Sequence, residues 1–338
     1  SPTTQRRSSN LPLLVVLQLL LLLAGGINGR HANAAGSRSE NVSLMPSLVP
    51  QIKHGTSVKT TAVSDNLKYQ VSFAEDGEGK LWDVQKGRLI RSFFHPVRPR
   101  IAAFLSDSTT VAVAGADNII RLVDIRTGAV TLSQSGHSGA INALRVSGDN
   151  LIVTASADRS IRVWSPATGA VKTIAGAEEF AALAISRDGR LAMSATVNGK
   201  LQSWNLTTGA KLKDIGMQPN SPGIIASMES LSIDLSVDGN WALTLNKAAL
   251  VYWNVAEGRI VHRLDGATDV VTHNAFSSDG QFAVTGSYAR VKVWNLATGM
   301  KIREFGSFEN YANYVALSPD SKSVLVSSAD GTTRLFDA

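Results

Sequence analysis

The chain is 338 residues long, with 33 Lys and Arg, 27 Asp and Glu, six His and no Cys. The missing cysteine excludes disulfides, thiolate metal sites and thiol nucleophiles together. Of the formal charge of +6, Arg6, Arg7 and Arg30 lie near the N-terminus. Without them 30 basic residues face 27 acidic ones, a net of +3, and no basic run is interleaved with aromatics, so a nucleic-acid partner is not expected.

Residues 1–35 differ in composition from all that follows. Arg6 and Arg7 precede residues 13–24, twelve positions interrupted only by Gln18, and the first acidic residue is Glu40. The run is too short for a membrane span but fits the apolar centre of a secretory signal, and Ala32-Asn33-Ala34 offers small residues for cleavage before Ala35. A periplasmic or secreted product is expected, with a membrane anchor through an uncleaved leader as the alternative. Residues 36–46 are small and polar and read as a linker, and 47–52 read as a short strand.

The unit that organises the rest is SGHSGAINALRVSGDNLIVTASADRSIRVWSPATG, residues 135–169. Strands are predicted over 140–146, 151–156 and 160–164, joined by a turn at 147–150 and a tight turn at Asp158-Arg159; Thr168-Gly169 introduces a fourth strand. Such a four-stranded sheet has no core of its own and must stack on neighbours. One column of the repeat runs Trp82, Val123, Trp164, Trp204, Trp253, Trp294 and Phe336, at steps of 41, 41, 40, 49, 41 and 42 residues. Six residues earlier lie Asp76, Asp117, Asp158, Asn198, Lys247, Tyr288 and Asp330. A second turn column holds Asp65, Asp107, Asp149, Asp188, Asp238, Asp279 and Asp320. Seven phased copies are the count.

These residues resemble the WD40 repeat family of β-propellers, in repeat length and in the Gly-His to Trp-Asp pattern, over roughly residues 44–338. The resemblance implies an all-β fold: a seven-bladed β-propeller of four-stranded antiparallel blades over 47–338, its ring closed by an N-terminal strand. It also implies a structural tetrad linking a loop His, a Ser or Thr, the tight-turn Asp and the Trp. Only the third repeat carries all four by this reading, as His137, Ser156, Asp158 and Trp164. The first has Ala74 where Ser is expected, the second Gly115 and Val123, the seventh Phe336, and repeats four to six lack most of the network. Since the sequence stops at Asp337-Ala338, straight after the third strand of the seventh repeat, residues 47–52 are expected to supply the missing outer strand.

The 49-residue step places eight extra residues between Asp214 and Glu229, where Gly216, Pro219, Pro222 and Gly223 break regular structure and Met217, Ile224, Ile225 and Met228 need cover.

Catalysis finds little support. His54, His95 and His137 belong to the repeat, and His262 and His273 lack an acidic cluster, so neither metal nor cofactor is expected. A quinone-dependent dehydrogenase is the enzymatic alternative. DIRTG at 124–128 and NLATG at 295–299 resemble that class's repeat, but Trp precedes Thr-Gly here, and an adjacent-cysteine disulfide is impossible. A scaffold binding a protein or peptide remains, with the inter-blade loops and tight turns on one face. Its candidate partner-binding residues are Glu75, Arg98, Arg100, Arg159, Met217, Ile224, Ile225, Tyr288 and Tyr311. The other non-enzymatic reading is a sensing propeller within a larger protein whose effector lies beyond Ala338.

Overall fold

The computed structural model describes residues 47–49, 54–217, 232–246, 249–264, 271–318, 320–328 and 333–338. Among them every regular element is a strand. β1 (Ser47–Val49) comes first. β2 (Val58–Val63), β3 (Tyr69–Ala74), β4 (Glu78–Asp83) and β5 (Arg88–Phe94) form one four-stranded sheet, and β6 (Pro99–Phe104), β7 (Thr110–Gly115), β8 (Ile120–Asp124) and β9 (Val130–Gln134) the next. A third contains β10 (Ile141–Val146), β11 (Ile152–Ser156), β12 (Ser160–Trp164) and β13 (Val171–Ala175). The fourth holds β14 (Phe180–Ile185), β15 (Leu191–Thr196), β16 (Lys200–Asn205) and β17 (Lys211–Met217), the fifth β18 (Ser232–Leu235), β19 (Trp241–Asn246), β20 (Ala249–Asn254) and β21 (Arg259–Leu264).

β22 (Val271–Phe276), β23 (Phe282–Asn295), β24 (Met300–Leu317), β25 (Ser323–Ser328) and β26 (Thr333–Asp337) join with β1 in a six-stranded sheet. This sheet is composite. β23 turns back on itself around Ala289, whose φ of 59° is left-handed, and the Leu296 N–H donates to the Gln281 carbonyl at 2.9 Å. β24 pairs with β23 as far as Tyr311 and with β25 from Ala312 onward, so one strand serves two repeats.

Among the described residues five apolar clusters lie between consecutive sheets, and a sixth lies between the two repeats that the composite sheet joins. Val71, Phe73 and Leu81 of the first sheet pack with Phe104, Val111 and Val113 of the second. Phe180, Leu183 and Trp204 of the fourth pack with Val153, Ala155 and Ile161 of the third. The second strands are buried on both faces, as β3, β7 and β11 show, which explains their near-continuous apolar reading. Opposite the Trp column most outer strands carry a β-bulge, at Leu81/Trp82, Ser203/Trp204, Tyr252/Trp253 and Val293/Trp294, and such a bulge locally bends and twists its strand.

Among the described residues, a strand pairing and a side-chain hydrogen bond bring the first and last repeats together. β1 pairs antiparallel with β26, Ser47 opposite Leu335 and Val49 opposite Thr333, so the strand expected over 47–52 is present over its first three residues. Residues 50–53 lie outside the described residues. The buried Gln70 side chain donates to Ser327 Oγ at 3.2 Å.

Candidate functional site

The hydrogen-bonded chain of the third sheet differs from the expected tetrad. His137 Nδ1 lies 2.7 Å from Asp158 Oδ2 and Nε2 lies 2.8 Å from Thr154 Oγ1. Ser156 is not part of it: its hydroxyl donates to the Gly139 carbonyl at 3.0 Å and accepts the Asp158 N–H at 3.1 Å, which fixes the turn. Trp164 Nε1 has no hydrogen-bond partner. The reason is register. Ile152 pairs with Trp164, so the hydroxyl position beside the indole is residue 154, two residues before Ser156 on the same face.

The complete chain sits in the first sheet. His54 Nδ1 meets Glu78 Oε2 at 2.9 Å, His54 Nε2 meets Ser72 Oγ at 2.8 Å, and Trp82 Nε1 donates to the same oxygen at 3.0 Å. The acid is Glu78, not Asp76, and the hydroxyl is Ser72, not residue 74. With the proton on Nδ1, the imidazole donates to Glu78 and accepts from Ser72, leaving the Ser72 oxygen to accept from Trp82. Burial lowers the pKa of His54 and of His137 against the opposing pull of Glu78 and Asp158, which favours that neutral form.

Repeats four to six keep more of the network than expected. Trp204 donates to Ser194 at 2.8 Å, Trp253 to Thr244 at 2.8 Å and Trp294 to Thr285 at 3.0 Å. Where the Trp is lost the hydroxyl is lost with it: Val113 accompanies Val123, and Val326 accompanies Phe336, with both valines fully buried. A Trp without an acceptor, or a hydroxyl without a donor, would strand a buried polar group. This column, nine or ten residues before each Trp, was readable as a spacing and was missed.

A second overlooked column is the serine two residues before the turn carboxylate. Ser186 bonds Asp188 at 2.6 Å, Ser236 bonds Asp238 at 2.5 Å, Ser277 bonds Asp279 at 2.5 Å and Ser318 bonds Asp320 at 2.5 Å. In the first sheet Ser64 bonds Asn66 at 2.7 Å, so the true column member is Asn66 and Asp65 is displaced from it. The turns before Thr-Gly also have a structural account: Asn205 and Asn295 each accept a turn N–H, from Thr208 at 2.9 Å and Thr298 at 3.0 Å.

Four of the nine partner-binding candidates form two pairs. Glu75 and Arg98 form an ion pair at 2.5 Å, with Lys59 at 3.3 Å from the other Glu75 oxygen. Arg100 is exposed on β6. Arg159 is exposed in a tight turn at φ 67° while its carbonyl accepts the Gly176 N–H at 2.7 Å. Tyr288 and Tyr311 are cross-strand partners with ring centroids 5.0 Å apart, 52% and 38% exposed, large values for tyrosine side chains in mutual contact. Met217 ends β17 opposite Lys200, while Ile224 and Ile225, like Lys247 and Asp330, lie outside the described residues. His262 stacks on Tyr252 and His273 contacts Tyr314, so the two histidines serve different surroundings.

Four-stranded antiparallel sheets that share their cores with successive neighbours, with the first strand clasped to the last, define a β-propeller. Residues 128–165, 258–295 and 300–337 match the family described as WD domain, G-beta repeat. The chain is 28% identical over 174 residues to Autophagy-related protein 16 of Arabidopsis thaliana, covering 50% of this chain and 33% of that one. It is 36% identical over 112 residues to the U3 small nucleolar RNA-associated protein 21 homolog of Schizosaccharomyces pombe, covering 32% and 12%. Identity to the Serine-threonine kinase receptor-associated protein of Dictyostelium discoideum is 23% over 163 residues, covering 47% and 55%. Three stretches of the chain thus match WD40 repeats, and proteins built of such repeats are generally protein-interaction scaffolds. The match spans about a third or less of the first two relatives.

Proposed function

We propose that the chain is a non-catalytic scaffold that binds a protein or peptide on the face formed by the inter-blade loops and tight turns. The observation that carries this reading is the Glu75–Arg98 pair, in which a tight turn of one sheet meets the loop leading into the next and leaves both groups about half exposed. Exposed ion pairs of this kind add little stability, so they are free to exchange partners. The Tyr288–Tyr311 pair repeats the arrangement with aromatic groups, and Arg and Tyr are residue types that often carry interface energy.

Residues 1–35 are proposed as an export leader cleaved before Ala35, which mass measurement of the product from an exporting host tests. The greater length of the relatives supports a second reading, the propeller as recognition unit of a longer protein. Reading the gene on either side of this sequence discriminates the two.

The scaffold reading is tested by capture of a binding partner with the wild-type chain, with Arg98→Glu plus Arg100→Glu, and with Arg126→Glu plus Arg190→Glu on the opposite turns. Capture is expected to be lost in the first variant and kept in the second. Shortening 218–229 is expected to weaken capture while leaving the melting transition in place. The reverse pattern, loss only with Arg126 and Arg190 changed, places binding on the other face.

A further inference from the structure

The innermost strands carry polar residues that the repeat columns do not explain. Register aligns them in two tiers. His273 and Tyr314 occupy the position held elsewhere by Thr60, Ile101, Ala143, Ala182 and Ser232. Two residues on, the same face carries Ala62, Ala103, Ala184, Ala275 and Ala316, and in the two remaining sheets Arg145 and Asp234. Arg145 feels the charges of Asp234 and Tyr314, and Tyr314 feels Asp65, Asp234 and Arg145. The first strands that carry these residues contact one another from sheet to sheet, β2 with β6, β6 with β10, β10 with β14, β14 with β18 and β18 with β22, and so line the central space of the ring.

Their states differ. Asp234 is engaged: Oδ2 accepts the Phe276 N–H at 2.9 Å and Oδ1 the Leu235 N–H at 3.0 Å. Arg145 donates to the neighbouring Leu144 carbonyl at 2.9 Å and, among the described residues, has no carboxylate at ion-pair distance. His273 lies 5.1 Å from the Tyr314 ring, centroid to centroid, and its buried Nδ1 has no partner. Burial, aided by Arg145, holds the His273 pKa down to about 4, and burial pushes Tyr314 up to about 12 and Asp234 upward. At neutral pH the space therefore presents a guanidinium fork, a phenol that keeps its proton and an uncharged imidazole.

We propose that this central space binds a carboxylate, with the Arg145 guanidinium taking its oxygens and the Tyr314 hydroxyl adding a donor. A single cation, with Asp234 in the same tier, suits one negative charge and disfavours a phosphate dianion. Access from the first-turn side is restricted by Arg187. Its guanidinium lies 3.3 Å from Asp65, its N–H donates to Val237 at 3.1 Å and its carbonyl accepts from Gly148 at 2.7 Å, joining four sheets. The carboxylate thus enters past His273 and Tyr314, from the side of the inter-blade loops. It is either a free small carboxylate or an acidic side chain of a bound peptide, and the site stands whether or not the proposed partner face is correct.

The test is a titration of the full chain with acetate, with a short peptide holding one glutamate and with inorganic phosphate, followed by the Arg145 Nε–H resonance. Saturable movement with acetate identifies a free carboxylate as ligand, and saturation with the peptide alone identifies a partner-borne one. Arg145→Gln is expected to weaken binding about 10-fold or more and Tyr314→Phe about 3-fold or more, the effect of removing a charged or a neutral hydrogen bond. The proposal is overturned if neither carboxylate moves the resonance, if phosphate binds as well as acetate, or if binding survives Arg145→Gln. Should that variant not fold, the wild-type titration and Tyr314→Phe decide.

Discussion

Ser72 has two dependents, the Trp82 indole and the His54 imidazole. Ser72→Ala orphans both, and a buried polar group left without a partner costs about 1 to 3 kcal/mol. The variant should melt clearly below the wild type, whereas Thr154→Val orphans only His137 and should cost less. Equal melting shifts would show that the shared oxygen has no special weight. The loss of hydroxyl and indole together at Val113 and Val123 gives the converse case. Val113→Thr keeps the shape but buries a hydroxyl with no indole to accept from, and a loss of about 1 to 2 kcal/mol is expected by chemical denaturation. The placement of the acceptor could be read from sequence only by counting back from Trp, because the serines nearest the turns, such as Ser156, look equally suitable until pairing is known.

Among the elements, β1 has the smallest claim to stability by itself and the largest effect on its neighbour. Three residues pair with β26, and without them β26 presents an open sheet edge. Leu48→Pro removes the N–H and restricts the strand, so the chain is expected to melt lower and to self-associate on size-exclusion chromatography. A monomer with unchanged melting would mean that closure rests on Gln70–Ser327 and the apolar contacts instead. The clasp was legible because residues 47–52 read as a strand ahead of the first repeat. The merging of two repeats through β24 was not, since nothing in residues 300–317 announces that one strand continues past its own sheet.

For the molecule as a whole, the central space couples stability to pH. His273 has a folded pKa near 4 against an ordinary 6.5. The unfolded chain therefore binds the extra proton first, and the contribution of this group is intact above about pH 6.5, is lost as pH falls towards 4 and changes no further below that. At about 1.4 kcal/mol per pKa unit the loss is at most about 3 to 4 kcal/mol. Arg145, Asp234 and Tyr314 face the same space, and His54, His95 and His137 shift in the same direction, so the group is isolated by comparison. His273→Gln should flatten the fall in melting temperature between pH 7 and 4.5. An unaltered slope would assign the pH response to the other histidines.

The sequence alone determined the repeat, its period and the class of fold, because strand alternation and turn chemistry are local and recur at fixed spacing. It also marked Glu75, Arg98, Tyr288 and Tyr311 as rim residues. Only the tertiary structure decided which of them meet, since contacts between one sheet's turn and the next sheet's loop depend on how sheets stack. The same holds for Ser72 and Thr154 as acceptors and for Arg145, Asp234, His273 and Tyr314 around one space. Those four are scattered over 170 residues of chain and match no column. They become neighbours because successive sheets bury their faces on each other and turn their inner strands to a common centre.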